Sequence, residues 1–318
     1  MEKAPFDATL AQGPATGAAY FVSADDGVRL RVGVWHAPAA TKGTILVFQG
    51  RCECIEKYGR AAAAFEQRGY ATITLDWRGQ GGSARLHSDP MLGHVDRFLD
   101  YQKDVAALLK VAADLDLPKP WHLIGHSMGG SIGLRALDNG LPVQSCAFTA
   151  PMWGIQLSAF QRMMVWPVTA LAQVFGKRHS YVPGPKNQRR KSYVLTTDFK
   201  DNRLTSSRDM YDYMRDIAMN LPDYRLGAPS MGWLFQALKE CRSLSKIAAP
   251  DMPCVTYCGT SDPLVRLTSV ESRMAHWPLG RLIRIDVSKH DMLSEAPEIR
   301  DKVIADVCAF FDLHSAPE

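Results

Sequence analysis

An α/β fold, with a mostly parallel sheet covered by helices on both faces and one helical insertion, is predicted by three observations. Short continuous apolar runs alternate with amphipathic helical stretches between residues 44 and 150, the rhythm of a parallel sheet buried on both sides. The rhythm stops in residues 152–238, which are rich in Met, Trp, Gln, Arg and Pro and show only short helical patches. It resumes in residues 239–318. Residues 1–151 and 239–318 are therefore expected to form one core, with 152–238 as a lid or cap. A chain of 318 residues has room for one such core and a small accessory domain.

Each element has its own signal. From Ala18 to Ala24 and from Val28 to Trp35, apolar and polar residues alternate on either side of Asp25-Asp26-Gly27, which reads as an antiparallel hairpin. Thr44 to Phe48 is the first strand expected to be buried. The spacing from Glu56 to Arg68 is helical and Gly69 stops it. Tyr70 to Leu75 gives another buried strand. Asp96 to Leu115 forms an amphipathic helix with Phe98, Tyr101, Val105, Leu108, Leu109 and Ala112 on one face. Trp121 to Ile124 and Pro142 to Ala150 add two strands. Beyond the insertion come a strand at Cys254 to Cys258, a helix at Leu267 to His276, a strand at Leu282 to Val287 and a closing helix begun by Pro297. The strands total eight.

Composition narrows the class. With 46% hydrophobic and 22% charged residues the chain reads as an ordinary soluble globular protein. A net charge of +4, with no compact basic block carrying interleaved aromatics, gives no argument for nucleic acid. Residues 1–19 lack a basic stretch leading into an apolar run, so no secretory signal is expected and the protein is expected in the cytoplasm. Seven cysteines without a CxxC pair fit a reducing compartment, and Cys52, Cys54, Cys254 and Cys258 read as small packed residues rather than metal ligands. No run reaches the ~20 apolar residues of a membrane span.

The chemistry centres on Gly125-His126-Ser127-Met128-Gly129-Gly130, between a strand and a helix. A strand turning this sharply into a helix requires glycine around its apex and holds the Ser127 hydroxyl in the open. The pentapeptide Gly-X-Ser-X-Gly alone is weak, since roughly 0.1 chance matches are expected in such a chain. Its context adds the weight. A serine nucleophile needs a base oriented by an acid, and in a parallel sheet these sit on loops at the carboxyl ends of strands. Asp262 follows the strand ending near Cys258, and His290 follows the one ending near Val287. Asp286 competes with Asp262 but lies within a strand. The backbone N–H of Met128, opening the helix, and that of Arg51, in the Gln49-Gly50-Arg51-Cys52-Glu53 loop, are the expected oxyanion donors. The glycine-dense loop Asp76 to Ser83 lacks a phosphate-loop lysine and reads as a bracing turn.

The insertion bears on substrate. Phe160, Met163, Met164, Val165, Trp166, Val168, Leu171, Val174 and Phe175 make an apolar patch interrupted by Pro167. Lys177, Arg178, Lys186, Arg189, Arg190 and Lys191 follow with no acidic residue among them. Apolar surface beside basic charge suits an acyl chain with an anionic headgroup, or transient docking on an anionic membrane face. Trp153, Phe160, Met163 and Trp166 are the residues expected to touch substrate.

With these residues placed, the sequence resembles the α/β-hydrolase superfamily, and within it the bacterial lysophospholipase and monoacylglycerol lipase family, over nearly its whole length. Gly50-Arg51-Cys52-Glu53 with Glu56-Lys57-Tyr58 resembles that family's oxyanion loop, and Asp76 to Gly81 its turn. Gly125 to Gly130 resembles its nucleophile elbow, and Gly259 to Asp262 with His290 its acid and base. The resemblance implies a Ser127, Asp262, His290 triad, an ester of a single-chain lipid as substrate and no cofactor or metal. Gln49 stands where monoacylglycerol lipases usually carry histidine and Lys57 where they carry arginine, which moves the analogy toward the lysophospholipase branch. Acyl transfer or peptide hydrolysis on the same triad, or a catalytically silent binding protein, are the competing expectations.

Overall fold

The computed structural model describes residues 1–185 and 188–315. Its strands are β1 (Glu2–Lys3), β2 (Ala18–Ser23), β3 (Arg29–Trp35), β4 (Gly43–Phe48), β5 (Tyr70–Asp76), β6 (Trp121–His126), β7 (Ser145–Thr149), β8 (Cys254–Gly259) and β9 (Gly280–Ile285). They form one sheet in the order β1-β2-β3-β5-β4-β6-β7-β8-β9. The pairs β1–β2, β2–β3 and β3–β5 are antiparallel and the remaining pairs parallel. The sheet thus has one strand more than the eight expected. The extra one is the two-residue β1, too short to carry an alternating pattern.

Residues of β4, β5, β6, β7 and β8 are all buried, as strands covered on both faces must be. Edge strand β9 is only half-buried. The helices are α1 (Ala8–Ala11), α2 (Gly59–Glu66), α3 (Tyr101–Asp114), α4 (Met128–Asp138), α5 (Ala159–Val174), α6 (Tyr193–Thr196), α7 (Arg208–Asn220), α8 (Met231–Leu244), α9 (Leu267–Met274) and α10 (Pro297–Leu313). The closing helix α10 buries Val303, Val307 and Phe311 on the face that the spacing of Ile299, Val303, Val307, Phe310 and Phe311 marks as inner, together with Ile304 and Cys308, while Ile299 and Phe310 are half-buried. The helix expected from Asp96 begins at Tyr101, after a single 3-10 turn at Phe98–Asp100.

Between β7 and β8 the regular elements of the described chain are helices, joined by turns and coil. Helix α8 runs unbroken through residue 238, the expected second boundary of the insertion, and Leu244 at its end is buried. Parallel register aligns Phe48 with Gly125 and His126 with Thr149, and β8 pairs in parallel with both β7 and β9. The loops that follow β4, β6, β8 and β9 therefore open at one end of the sheet, and the candidate site assembles there.

Candidate active site

Ser127 caps the N-terminus of α4 with φ 51° and ψ −117°, angles that a residue with a Cβ adopts only under strain. Close packing forces the turn. A Cβ on Gly129 would lie 2.0 Å from the Phe48 carbonyl oxygen, and one on Gly125 2.9 Å from the Phe148 ring. The strand-to-helix turn is thereby pressed against β4 and β7, and its serine is left facing a cavity.

The other predicted groups converge on it. His290 Nε2 lies 2.8 Å from Ser127 Oγ, and His290 Nδ1 lies 2.7 Å from Asp262 Oδ2. The second oxygen of Asp262 accepts from the Leu264 N–H at 2.7 Å and the Val265 N–H at 3.3 Å, which fixes the carboxylate plane. Both His290 and Asp262 have buried side chains. Asp286, the rival acid, is exposed.

Two backbone donors border the same space. The Gly50 N–H donates to Glu53 Oε2 at 2.6 Å and the Cys52 N–H to Gln80 Oε1 at 2.8 Å. The Arg51 N–H between them, and the Met128 N–H, make no hydrogen bond among the described residues. Arg51, Ser127 and Met128 line one pocket. Gln80 belongs to the glycine-dense loop, so that loop braces the Arg51 segment. The loop is itself held by Asp76, whose Oδ2 accepts from the Gly82 N–H at 2.6 Å and whose Oδ1 accepts from the Ile55 N–H at 2.9 Å. Arg31, fully buried, ties Asp76 to Glu56 at 2.8 and 2.7 Å. Gln49 donates its carboxamide to the Leu75 carbonyl and stays outside the pocket lining.

A buried charge network that sequence reasoning did not foresee lies beneath the site. Lys57 Nζ bonds Glu53 Oε1 and sits 2.5 Å from Asp291 Oδ2. Glu53 also accepts from the Tyr58 hydroxyl at 2.7 Å. One ammonium thus joins the loop bearing Arg51 to the residue after His290. Burial works to raise the Asp291 carboxyl, but Lys57 and then His126 override it and hold it well below the usual carboxylate range. Glu53 is lowered in the same way, against its own burial. Burial pulls the Lys57 ammonium down, and Asp291 and Glu53 together push it above its ordinary value. Burial lowers His126, against the opposing pull of Asp291 and Glu53. Its Nδ1 faces the Thr149 hydroxyl at 3.0 Å and the Thr149 carbonyl at 3.1 Å. The Glu53 to Lys57 spacing of four is the one sequence signal for this network.

The pocket holds about 490 Å³. Its apolar wall includes Met152, Met214, Ile217, Trp233, Leu234 and Val265, and its charged lining is Arg51, Lys57, Arg203 and Arg225 against the single acid Glu53. The substrate contacts expected from sequence need correction, because none of the four residues lines it. Trp153 is buried behind the elbow, donating to the Gly130 carbonyl at 3.1 Å and stacking on Trp277. Phe160 and Met163 are 69% and 66% exposed on α5. Trp166 packs edge-on to Phe235. Helix α5 lies outside α8, burying only Thr169 and Ala172, and α7 and α8 supply the wall instead. The amphipathic signal of α7, with Met210, Met214 and Ile217 on one face, was the one to read.

The family model for serine aminopeptidases of the S33 group matches residues 39–297. The chain belongs to this family. Among its relatives, this S33-family protein is 28% identical to lysophospholipase L2 of Escherichia coli over 287 residues, covering 86% of this chain and 81% of that one. It is 27% identical to the probable lysophospholipase L2 of Haemophilus influenzae over 279 residues, 87% of this chain and 86% of that one. In three dimensions it resembles a soluble variant of the monoglyceride lipase of Saccharomyces cerevisiae solved with a substrate analog. That match has a TM-score of 0.69 and 18% identity and covers 94% of this chain and 96% of the other. The shared architecture is the α/β-hydrolase fold.

Proposed function

We propose that this S33-family chain is a serine hydrolase that cleaves the carboxylic ester of a single-chain lipid, of lysophospholipase or monoacylglycerol lipase type. The observation that carries the reading is the continuous Ser127–His290–Asp262 relay opening into an apolar pocket with arginines in its lining. Ser127 Oγ attacks the ester carbonyl while His290 Nε2 takes its proton. Asp262 holds the imidazole and stabilises the imidazolium. The N–H groups of Met128 and Arg51 receive the oxyanion. His290 then protonates the departing glycerol oxygen, and a water activated by the same imidazole releases the fatty acid from the acyl-enzyme.

The charges favour an anionic headgroup. Arg51, Arg203 and Arg225 form no ion pair among the described residues, whereas the one acid of the lining is held by Lys57. That balance supports a lysophospholipid over a neutral glyceride, because a guanidinium pairs strongly with phosphate. It also disfavours aminopeptidase chemistry, the activity in the family's description, since a substrate ammonium would meet no unpaired carboxylate in the lining. A panel of p-nitrophenyl esters, monoacylglycerols, lysophospholipids and aminoacyl anilides tests this. Lysophospholipids should give the highest kcat/KM, and a fluorophosphonate should label Ser127 alone. Turnover of anilides without turnover of esters would overturn the assignment.

Residues 152–238 and the rest of α8 form, in this reading, a cap over the relay. The support is that Met214, Ile217 and Leu234, all from this stretch, line the pocket. No described helix is long and apolar enough to cross a membrane. Helix α5 exposes Phe160, Met163, Leu171 and Val174, with Phe175 after it. Lys177, Arg190 and Lys191 follow, also exposed; Lys186 lies outside the described residues. We assign this face to transient docking on an anionic bilayer, with the protein cytoplasmic and peripheral at the inner membrane face. Cosedimentation should be several-fold stronger with anionic than with zwitterionic vesicles. The double variant Phe160→Asp and Val174→Asp should lose it while hydrolysing a dispersed p-nitrophenyl ester normally.

A further inference from the structure

Outside the pocket lining, three imidazoles meet where the insertion crosses the core. His94 is buried, with Nδ1 2.7 Å from Ser230 Oγ and Nε2 3.2 Å from Asp96 Oδ1. His179, exposed in the insertion, stands edge-on to His94 with ring centroids 4.5 Å apart, and the ring of His87 lies 5.0 Å beyond His179. Ligand atoms of His94, Asp96 and His179 all lie within 4.8 Å of one another. A metal ion holding ligands at about 2.1 Å sets them roughly 3.4 Å apart. Rotation of the two exposed side chains, Asp96 and His179, supplies that closure. Without metal, Nε2–H donates to the Asp96 carboxylate; a metal would displace that proton, and Ser230 Oγ is placed to accept from Nδ1–H in the tautomer that then turns the Nε2 lone pair toward the ion.

We propose that His94, Asp96 and His179 bind a divalent transition-metal ion of the zinc or nickel class, with water completing the shell. Two imidazoles and one carboxylate select such borderline ions over magnesium and calcium. The ion would lock three segments that backbone bonds already bring together. Ser230 N–H donates to the Gly93 carbonyl, Met231 N–H to that of Ser180 and Gly232 N–H to that of Arg178, each at 2.8 Å. The site therefore staples the insertion to the core loop carrying Gly93. That loop in turn packs on the oxyanion segment, since a Cβ on Gly93 would lie 2.2 Å from Arg51 Nη2. Arg178 is a built-in competitor, its guanidinium bonding the same Asp96 oxygen that the metal would use.

The test is titration of chelator-treated full-length protein with Zn²⁺ and with Co²⁺. One equivalent should bind with micromolar Kd, Co²⁺ should show ligand-field absorption, and Zn²⁺ at ~100 times Kd should raise Tm by roughly 5 °C. Mg²⁺ and Ca²⁺ should do neither. His179→Ala, which removes an exposed side chain, should weaken binding at least tenfold while leaving the metal-free Tm and ester turnover unchanged. Arg178→Gln should tighten it. Equal Zn²⁺ affinity in wild type and His179→Ala, or no saturable binding below millimolar Zn²⁺, would overturn the proposal.

Discussion

Replacing Ser127 with alanine should cut ester turnover by on the order of a millionfold while leaving the fold intact, the scale of loss when a serine nucleophile is removed from such a relay. Alanine keeps the Cβ that the turn already accommodates and removes only the hydroxyl 2.8 Å from His290. Single-turnover kinetics and a thermal melt on the same preparation check both halves. Retained turnover with an unchanged melt would move the nucleophile elsewhere and remove the basis for the ester-hydrolase reading.

Lys57→Met should be the most destabilising single change near the site. Methionine fills the space but leaves Glu53 and Asp291 as buried carboxylates facing each other without their cation, a loss of about 3–5 kcal/mol and roughly 5–7 °C in Tm. The pH dependence follows from the direction of the shifts. Glu53 and Asp291 are held below their ordinary values, so the stability they contribute is complete above about pH 4.5. It is lost as the pH falls toward their folded-state values. In the variant both carboxyls rise, so stability should begin to fall at a higher pH, and the gap to wild type should narrow in acid. Because the same ammonium ties the Arg51 loop to Asp291, kcat should also drop, by up to about 100-fold through misplacement, with KM changed less. Lys57→Arg should recover much of both. Denaturation across pH 3–8, paired with steady-state kinetics, distinguishes this from a site-neutral loss of stability.

How much was legible in advance depends on the range over which each signal acts. The elbow is local: glycines, strand and helix are contiguous, so Ser127 follows from one short stretch. Asp262 and His290 are distant in sequence, yet each follows a late strand, and a parallel sheet brings such loops to one end. The Glu53–Lys57–Asp291 network has no comparable rule, since only its Glu53–Lys57 half is close in sequence. The pocket wall failed for a different reason. An apolar helical stripe on α5 looks the same in sequence whether it faces a cavity, a neighbouring helix or solvent, and tertiary packing gave the inner position to α7 and α8. The core helices did not share that ambiguity, because the buried strands beside them left one surface to cover.

The backbone angles at Ser127 carry a last consequence, for the history of the chain rather than its chemistry. Only glycine would rest there without penalty, and every side chain holds about 1–3 kcal/mol in reserve at that spot. A lineage selected for heat resistance alone would drift to glycine at residue 127, gaining robustness and falling silent. A hydroxyl at a position that the backbone disfavours is held there at a cost in stability.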